Sequence, residues 1–250
     1  MYQIKLADTD NRKIAEQKDN ITIYEYHHDM SVDPGAAVSA YYAAQMNVRK
    51  RQALFALDSS HGVVCQAGAM QWIAGKVEAG TNVNSVGNFA KKLLGASVTG
   101  ESVVKPLYTG EGQLMLEPTY KHLLIEGVSE WSGMVIDDGL FLACQSTVNL
   151  DTVSRKNVSS ALAGGEGLFN TCLTGEGLVV LESRYPREEL VEVVLEDDEL
   201  KVDGNFAVCW SASLSFTVER SAKNLIGSAA SGEGLVNVYR GTGRVLMAPL

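Results

Sequence analysis

The sequence predicts an all-β fold built from three similar β-rich stretches, and three observations carry that expectation. The first is a tetrapeptide that returns at a fixed interval. Thr109-Gly110-Glu111-Gly112 recurs as Thr174-Gly175-Glu176-Gly177, 65 residues on, and in weakened form as Arg240-Gly241-Thr242-Gly243, a further 66 on. Each copy leads into an apolar run: Leu114-Met115-Leu116, Val179-Val180-Leu181 and Val245-Leu246-Met247. A fixed period of this size is the signature of repeat architecture. The second observation is alternation. Trp210, Ala212, Leu214, Phe216 and Val218 take one face, while Ser211, Ser213, Ser215 and Thr217 take the other. That period of two marks a half-buried strand in an antiparallel sheet. The third is 24 glycines against 5 prolines, scattered without a three-residue period, which excludes collagen and calls for many turns.

In chain order, Ile21 to Tyr26 alternates weakly and is expected to be a strand. Asp33-Pro34 has the form of an N-cap followed by proline at the first helical position, opening a helix through about Met46. A second marker, Gly165-Glu166-Gly167-Leu168, matches Gly232-Glu233-Gly234-Leu235 and, upstream, Gly100-Glu101-Ser102-Val103. Short helix-like stretches precede them at Phe89 to Leu94, Asn157 to Leu162 and Ala222 to Ile226. Asp138-Gly139 with Phe141 and Cys144 matches Asp203-Gly204 with Phe206 and Cys209, again 65 apart. The Asp-Gly pairs are hairpin-turn signals, and the two cysteines are expected to be equivalent core positions. Val148 and Leu150 repeat the alternation more weakly. The acidic stretch Glu188 to Asp203 is expected to form the polar face and turn of a hairpin, since Val191, Val193 and Leu195 alternate with it. Arg244 to Ala248 begins a further copy and is expected to close the structure against the first. One body over 1–250 follows, related by an approximate threefold axis, with pseudo-repeats at about 1–107, 108–173 and 174–238 and a closing strand at 239–250.

Composition narrows the function classes. The chain has 250 residues, 46% of them apolar, which suffices for a real core. Lys and Arg total 21 against 30 acidic residues, a net charge of -9, so nucleic acid is a poor expected partner. Arg49-Lys50-Arg51 and Lys91-Lys92 are the tight basic groups, read as solvated faces. Cys65, Cys144, Cys172 and Cys209 form no CxxC pair, so no zinc site of ordinary spacing is expected. Neither a secretory signal nor a membrane-spanning run of apolar residues is visible, so reduced thiols and a cytoplasmic location are expected, with peripheral membrane contact compatible.

Chemistry-bearing groups are sparse. His27 and His28 are adjacent and on a strand would point to opposite faces, so they cannot chelate together. Asp58-Ser59-Ser60-His61 reads as a turn rather than a nucleophile with its base, because no Gly-x-Ser-x-Gly elbow exists. His122 stands alone. The Gly-Glu-Gly loops lack the Lys-Ser or Lys-Thr of a Walker loop, and Glu111, Glu166, Glu176 and Glu233 would repel phosphate, so turns and bulges between strands are expected there. Trp72, Trp131 and Trp210 are spread along the chain and are expected in the core. No catalytic, metal or cofactor site is expected, and the chain is expected not to be an enzyme.

These residues carry a resemblance. Ala67-Gly68-Ala69-Met70, Gly100-Glu101-Ser102, the later Gly-Glu-Gly copies and the ending Gly232-Glu233-Gly234-Leu235 through Gly241-Thr242-Gly243-Arg244-Val245 are similar to the mitochondrial-biogenesis family named for altered inheritance of mitochondria, over roughly residues 50 to 250. The resemblance implies three tandem units, each similar to a subunit of the tryptophan RNA-binding attenuator, a short double-stranded β-helix, with assembly into rings. It implies no catalytic residues. The family's eukaryotic branch is tied to inner-membrane organisation of mitochondria, a role not carried over to a chain without a visible transit peptide. The expected function is therefore a non-catalytic homo-oligomeric scaffold, most simply a trimer, with a protein partner of unknown identity. The alternative is a ligand- or RNA-binding ring.

Overall fold

The computed structural model describes residues 2–6, 8–81, 105–154, 169–220 and 235–249. The N-terminal hairpin comprises β1 (Arg12–Lys18) and β2 (Ile21–Tyr26), turned at Asp19 with φ 51°. Ile21 and Ile23 of β2 are buried, as the alternation requires, while the Lys- and Glu-bearing β1 faces water at the sheet edge and discourages further pairing there. The helix α1 (Ala37–Gln45) starts later than the Asp33-Pro34 signal predicts. The Asp33 carboxylate accepts from the Gly35 and Ala36 amides at 2.8 and 3.2 Å. It therefore caps the turn leading into the helix, and Ala36 stands at the cap without a side-chain bond.

Most of the remainder is strand: β3 (Lys50–Leu57), β4 (Val63–Cys65), β5 (Met70–Thr81), β6 (Pro106–Leu116), β7 (His122–Gly127), β8 (Met134–Ile136), β9 (Phe141–Gln145), β10 (Val148–Ser154), β11 (Phe169–Gly175), β12 (Leu178–Ser183), β13 (Val191–Asp203), β14 (Ala207–Ser211), β15 (Ser215–Arg220) and β16 (Leu235–Met247). One sheet has the order β1-β2-β3-β6-β4-β9-β12-β7 with β5 on β6. The other runs β10-β11-β8-β14-β16-β13 with β15 on β16. All pairings are antiparallel, as one-sided alternation predicts.

One arrangement recurs along the chain. β6 lies between β5 and the pair β3 and β4. The run β11 and β12 lies between β9 with β10 and β7 with β8. β16 lies between β14 with β15 and β13. The recurring tetrapeptide sits at one place in this arrangement: Gly110, Gly175 and Gly241 all have positive φ, at 119°, 91° and 117°. These segments are not all turns between strands, as expected from sequence. Two of the three lie inside the continuous strands β6 and β16, where the glycines let a strand coil without breaking.

The core follows the same progression. Tyr108 and Leu114 belong to one apolar cluster, Leu173 and Val179 to a second, Tyr239 and Val245 to a third. Burying each such side chain stabilises by about 1.5–3 kcal/mol, and the three clusters share strands through the joins β4·β9 and β8·β14.

Four expectations need correction. Trp210 to Val218 is two strands, not one, because residues 212–214 turn opposite Gly241 to Gly243; both strands still pair with β16, so Trp210, Leu214 and Phe216 reach one cluster. Val191 to Asp203 is a single strand along β16 with a bulge at Asp197, φ 52°, rather than a hairpin. Arg244 to Met247 is the second half of β16 and pairs with β13 and β14, not with the first copy. Cys144 and Cys209 are not equivalent. The pairs Phe141 with Leu181 and Ala207 with Met247 set an offset of 66, so Cys209 stands level with Ala143 and Cys144 with Trp210. The helix-like stretches at Phe89, Asn157 and Ala222, the Gly-Glu-Gly segments at Gly165 and Gly232, and Gly100-Glu101-Ser102-Val103 fall outside the described residues, apart from Leu235, which opens β16.

Candidate interaction surfaces

His61 has Asp58 at 2.8 Å from Nδ1 and Asp19 at 3.6 Å from Nε2, so both ring nitrogens face carboxylates rather than a serine hydroxyl. Asp58 also accepts from the Ser60 and His61 amides at 2.7 and 2.9 Å, which makes the segment an Asp-capped turn. The hydrogen bond to Asp58 raises the His61 pKa and lowers that of Asp58. His27 and His28 lie in the bend after β2, not on a strand, and His28 is fixed through its backbone to the Asn11 side chain. His122 opens β7, where burial and then Arg51 lower its pKa. Glu111 and Glu176 are exposed, and Glu166 and Glu233 lie outside the described residues. Trp131 and Trp210 are buried and Trp72 is half-buried. Among the described residues no cluster of three His, Cys, Asp or Glu side chains is placed to hold a metal, and no helix is long and apolar enough to cross a membrane.

All four cysteines are free and buried. Burial pushes the Cys65 thiol up to about 12 and raises those of Cys144, Cys172 and Cys209. The thiolate is the reactive species, so the native chain is expected to react with a disulfide reagent at pH 8 at least about a hundredfold more slowly than the chain in urea. Rapid release of one thiol equivalent from the native chain would contradict this.

The basic triplet is neutralised within the fold. Arg49 and Arg51 bond Glu25 at 3.2 and 2.7 Å, and Lys50 bonds Asp29 at 2.8 Å. Lys91-Lys92 lies outside the described residues. A second network crosses β13, β16 and β15. Arg240, standing where the other copies have Thr109 and Thr174, donates to both oxygens of Glu219 at 2.6 and 2.9 Å and to Glu199 at 2.5 Å. The hydrogen bonds from Arg240, and then the one from the Thr217 hydroxyl, hold the Glu219 carboxyl down to about 2, from an ordinary value of 4.5. A depressed carboxylate pKa contributes stability above the unfolded value and loses it as pH falls through the folded one, so this contribution fades from about 4.5 to about 2. The site is exposed, which keeps the contribution small. Arg240→Gln is expected to return the Glu219 titration, followed by carboxyl NMR shifts, toward the ordinary range; an unchanged midpoint would refute the assignment.

What stands out of the fold is α1. Residues 34–48 carry no charge, and no residue of α1 is buried. Tyr41 is 61%, Tyr42 63% and Met46 77% exposed, with Met30 and Tyr120 exposed nearby. Tyr41 and Tyr42 meet edge to face at 5.4 Å. Beneath the helix a cavity of about 430 Å³ is lined by His27, His28, Asp29, Lys50 and Tyr120 among others. The Tyr120 hydroxyl donates to Asp29 at 3.0 Å, which ties the far wall to β3 through Lys50. Of α1, Ala40, Ala43 and Ala44 are half-buried, and its larger side chains form an exposed apolar patch. The uncharged run was visible in the sequence; that it would fail to join the core was not.

A family model described as mitochondrial biogenesis AIM24 matches residues 42–250. An uncharacterized protein of Streptococcus pyogenes serotype M6, M6_Spy0233, is 28% identical over 207 residues, covering 79% of this chain and 81% of that one. The crystal structure of protein SPYM3_0169 from Streptococcus pyogenes superposes with a TM-score of 0.56 at 21% identity, covering 96% of this chain and 94% of the other, which is a likeness of fold.

Proposed function

We propose, from the premise that this chain belongs to the mitochondrial biogenesis AIM24 family, that it is a non-catalytic, self-associating scaffold that docks a protein partner. Its body is three tandem attenuator-like units, and it works in a reducing, cytoplasmic setting. The observation that carries the proposal is α1, whose Tyr41, Tyr42 and Met46 stand in water with no charged residue among them. Aromatic and Met side chains are enriched where protein interfaces bury their centres. The recurring left-handed glycines at 110, 175 and 241 support the tandem units.

A photoreactive phenylalanine analogue at Tyr42 is expected to give discrete adducts in the native cell, lost when Tyr41 and Met46 are both replaced by Glu while the circular dichroism stays unchanged. A smear or no adduct would overturn the docking role. Nucleic acid is not the partner expected. The carboxylate partners of Arg49, Lys50 and Arg51 and the net charge of -9 leave no cationic track among the described residues. Fluorescence anisotropy with single-stranded RNA at about 150 mM salt is expected to show no submicromolar binding.

A further inference from the structure

We infer that copies of this chain join head to tail through two strand edges, the outer edge of β13 at Leu200–Val202 on one copy and the outer edge of β5 at Trp72–Ala74 on the next. The inference rests on the self-associating scaffold proposed above and names its interface.

The chain already makes this join twice within itself. β4 pairs with β9 as Val63 to Gln145, Val64 to Cys144 and Cys65 to Ala143. β8 pairs with β14 as Met134 to Ser211, Val135 to Trp210 and Ile136 to Cys209. The left-handed glycines fix what corresponds to what. Two residues before each glycine stand Tyr108, Leu173 and Tyr239, paired with Val63, Met134 and Leu200. Four residues after each stand Leu114, Val179 and Val245, paired with Ile73, Cys144 and Trp210. The strand that reaches out to its neighbour is therefore β4, then β8, then the second half of β13. The strand that receives is the first half of β5, then β9, then β14.

Two reaching strands and two receiving strands meet inside the chain. One of each is left over: among the described residues β13 pairs with β16 and β5 with β6, and neither has a strand on its other edge. Open edges template pairing with another chain. Carrying the internal register across sets Leu200 opposite Ala74, Lys201 opposite Ile73 and Val202 opposite Trp72. Two residues further along, Asp198 falls opposite Lys76, both exposed, so the register that matches the backbone also matches charge. Trp72 and Ile73 are half-buried and Met70 is exposed, which supplies apolar surface for the join to cover. Because the two edges differ, the contact is heterologous and extends the progression of units from copy to copy, closing as a ring where the rotation allows.

The experiment mixes two singly substituted full-length chains, Lys76→Cys and Asp198→Cys, under mild oxidation. The native cysteines are buried and do not interfere. The expected product is a disulfide-linked pair at twice the chain mass of 26.9 kDa, formed by the mixture and not by either protein alone. Pairing of either protein with itself would show a symmetric contact and overturn the proposal. A bridge within one chain carrying both substitutions would show internal closure and overturn it equally. In light scattering at micromolar concentration, wild type is expected above one chain mass. Lys76→Glu is expected to weaken assembly about fivefold, and adding Asp198→Lys to restore it. Assembly that survives with no mixed disulfide would sink this interface and leave the scaffold standing. A monomer that still gives adducts at Tyr42 would remove self-association and keep the docking helix.

Discussion

Gly110→Ala is expected to cost about 3 kcal/mol or more, against about 1 kcal/mol for Gly139→Ala, from the left-handed backbone and steric terms together. Both glycines have positive φ, 119° and 76°. They differ in what a methyl group would meet. At Gly139 nothing lies within 4 Å, so the substitution carries the conformational cost alone. At Gly110 the added carbon would sit 2.2 Å from the Lys76 carbonyl oxygen, with the Val77 Cα at 3.3 Å. Those atoms belong to β5, and a backbone atom in a paired strand cannot step aside. The recurring positions provide a graded test. At Gly175 the nearest atom is the Thr147 oxygen at 3.0 Å, and at Gly241 it is a Leu214 methyl at 3.8 Å. Destabilisation should therefore fall in the order Gly110, Gly175, Gly241. Urea midpoints at constant slope measure it, and a Gly110→Ala chain as stable as Gly139→Ala would show that β5 and β6 are not pinched together there.

That gradient explains what could be read from residues and what could not. The recurrence of Thr109-Gly110-Glu111-Gly112 gave the interval and the need for positive φ. A turn and a kink inside a continuous strand make the same demand, so the pattern could not separate them; the apposition of β5, distant in pairing terms, decides it. The alternation from Trp210 to Val218 placed Trp210, Leu214 and Phe216 on one inner face, because period-two faces survive an interruption that keeps register, as β14 and β15 do on β16; inside the interruption it fails, since Ser211 is buried and Ala212 exposed. The acidic stretch misled for the converse reason. Its turn-like residues Glu196 to Asp198 form a bulge against Gly241 to Gly243, and only the partner strand shows that β13 continues past it. The apolar character of residues 34–48 was legible, but exposure is a tertiary property: among the described residues no element comes to cover the outer face of α1. The open edges of β5 and β13 were equally invisible, since an edge is defined by the strand that is missing beside it.

Trp131→Ala is expected to destabilise by about 3–5 kcal/mol, the range for deleting a buried indole. Trp131 ends the short 3-10 turn Ser129–Trp131 and is 1% exposed, in the cluster that holds Val179, Leu181, Cys209 and Leu246. It therefore packs strands of the second arrangement against strands of the third. Its placement is fixed by the left-handed pair Ser132 and Gly133, at φ 56° and 84°. Its indole N–H donates to Glu126 at 3.2 Å, and the Arg244 guanidinium lies 4.4 Å from its ring. The surrounding charges are mutually satisfied: Arg187 bonds Glu126 at 3.0 Å and Glu192 at 2.6 Å, and Arg244 bonds Glu192 at 3.1 Å. Trp131→Phe keeps an aromatic face for Arg244 and leaves Glu126 paired with Arg187, so it loses one hydrogen bond and some volume, about 1–2 kcal/mol. Chemical unfolding separates the two variants, and the native emission of both should fall to that of the remaining indoles, buried Trp210 and half-buried Trp72. If Trp131→Ala cost no more than Trp131→Phe, the ring volume would not be what joins the two halves, and the bond to Glu126 would have to carry the coupling instead.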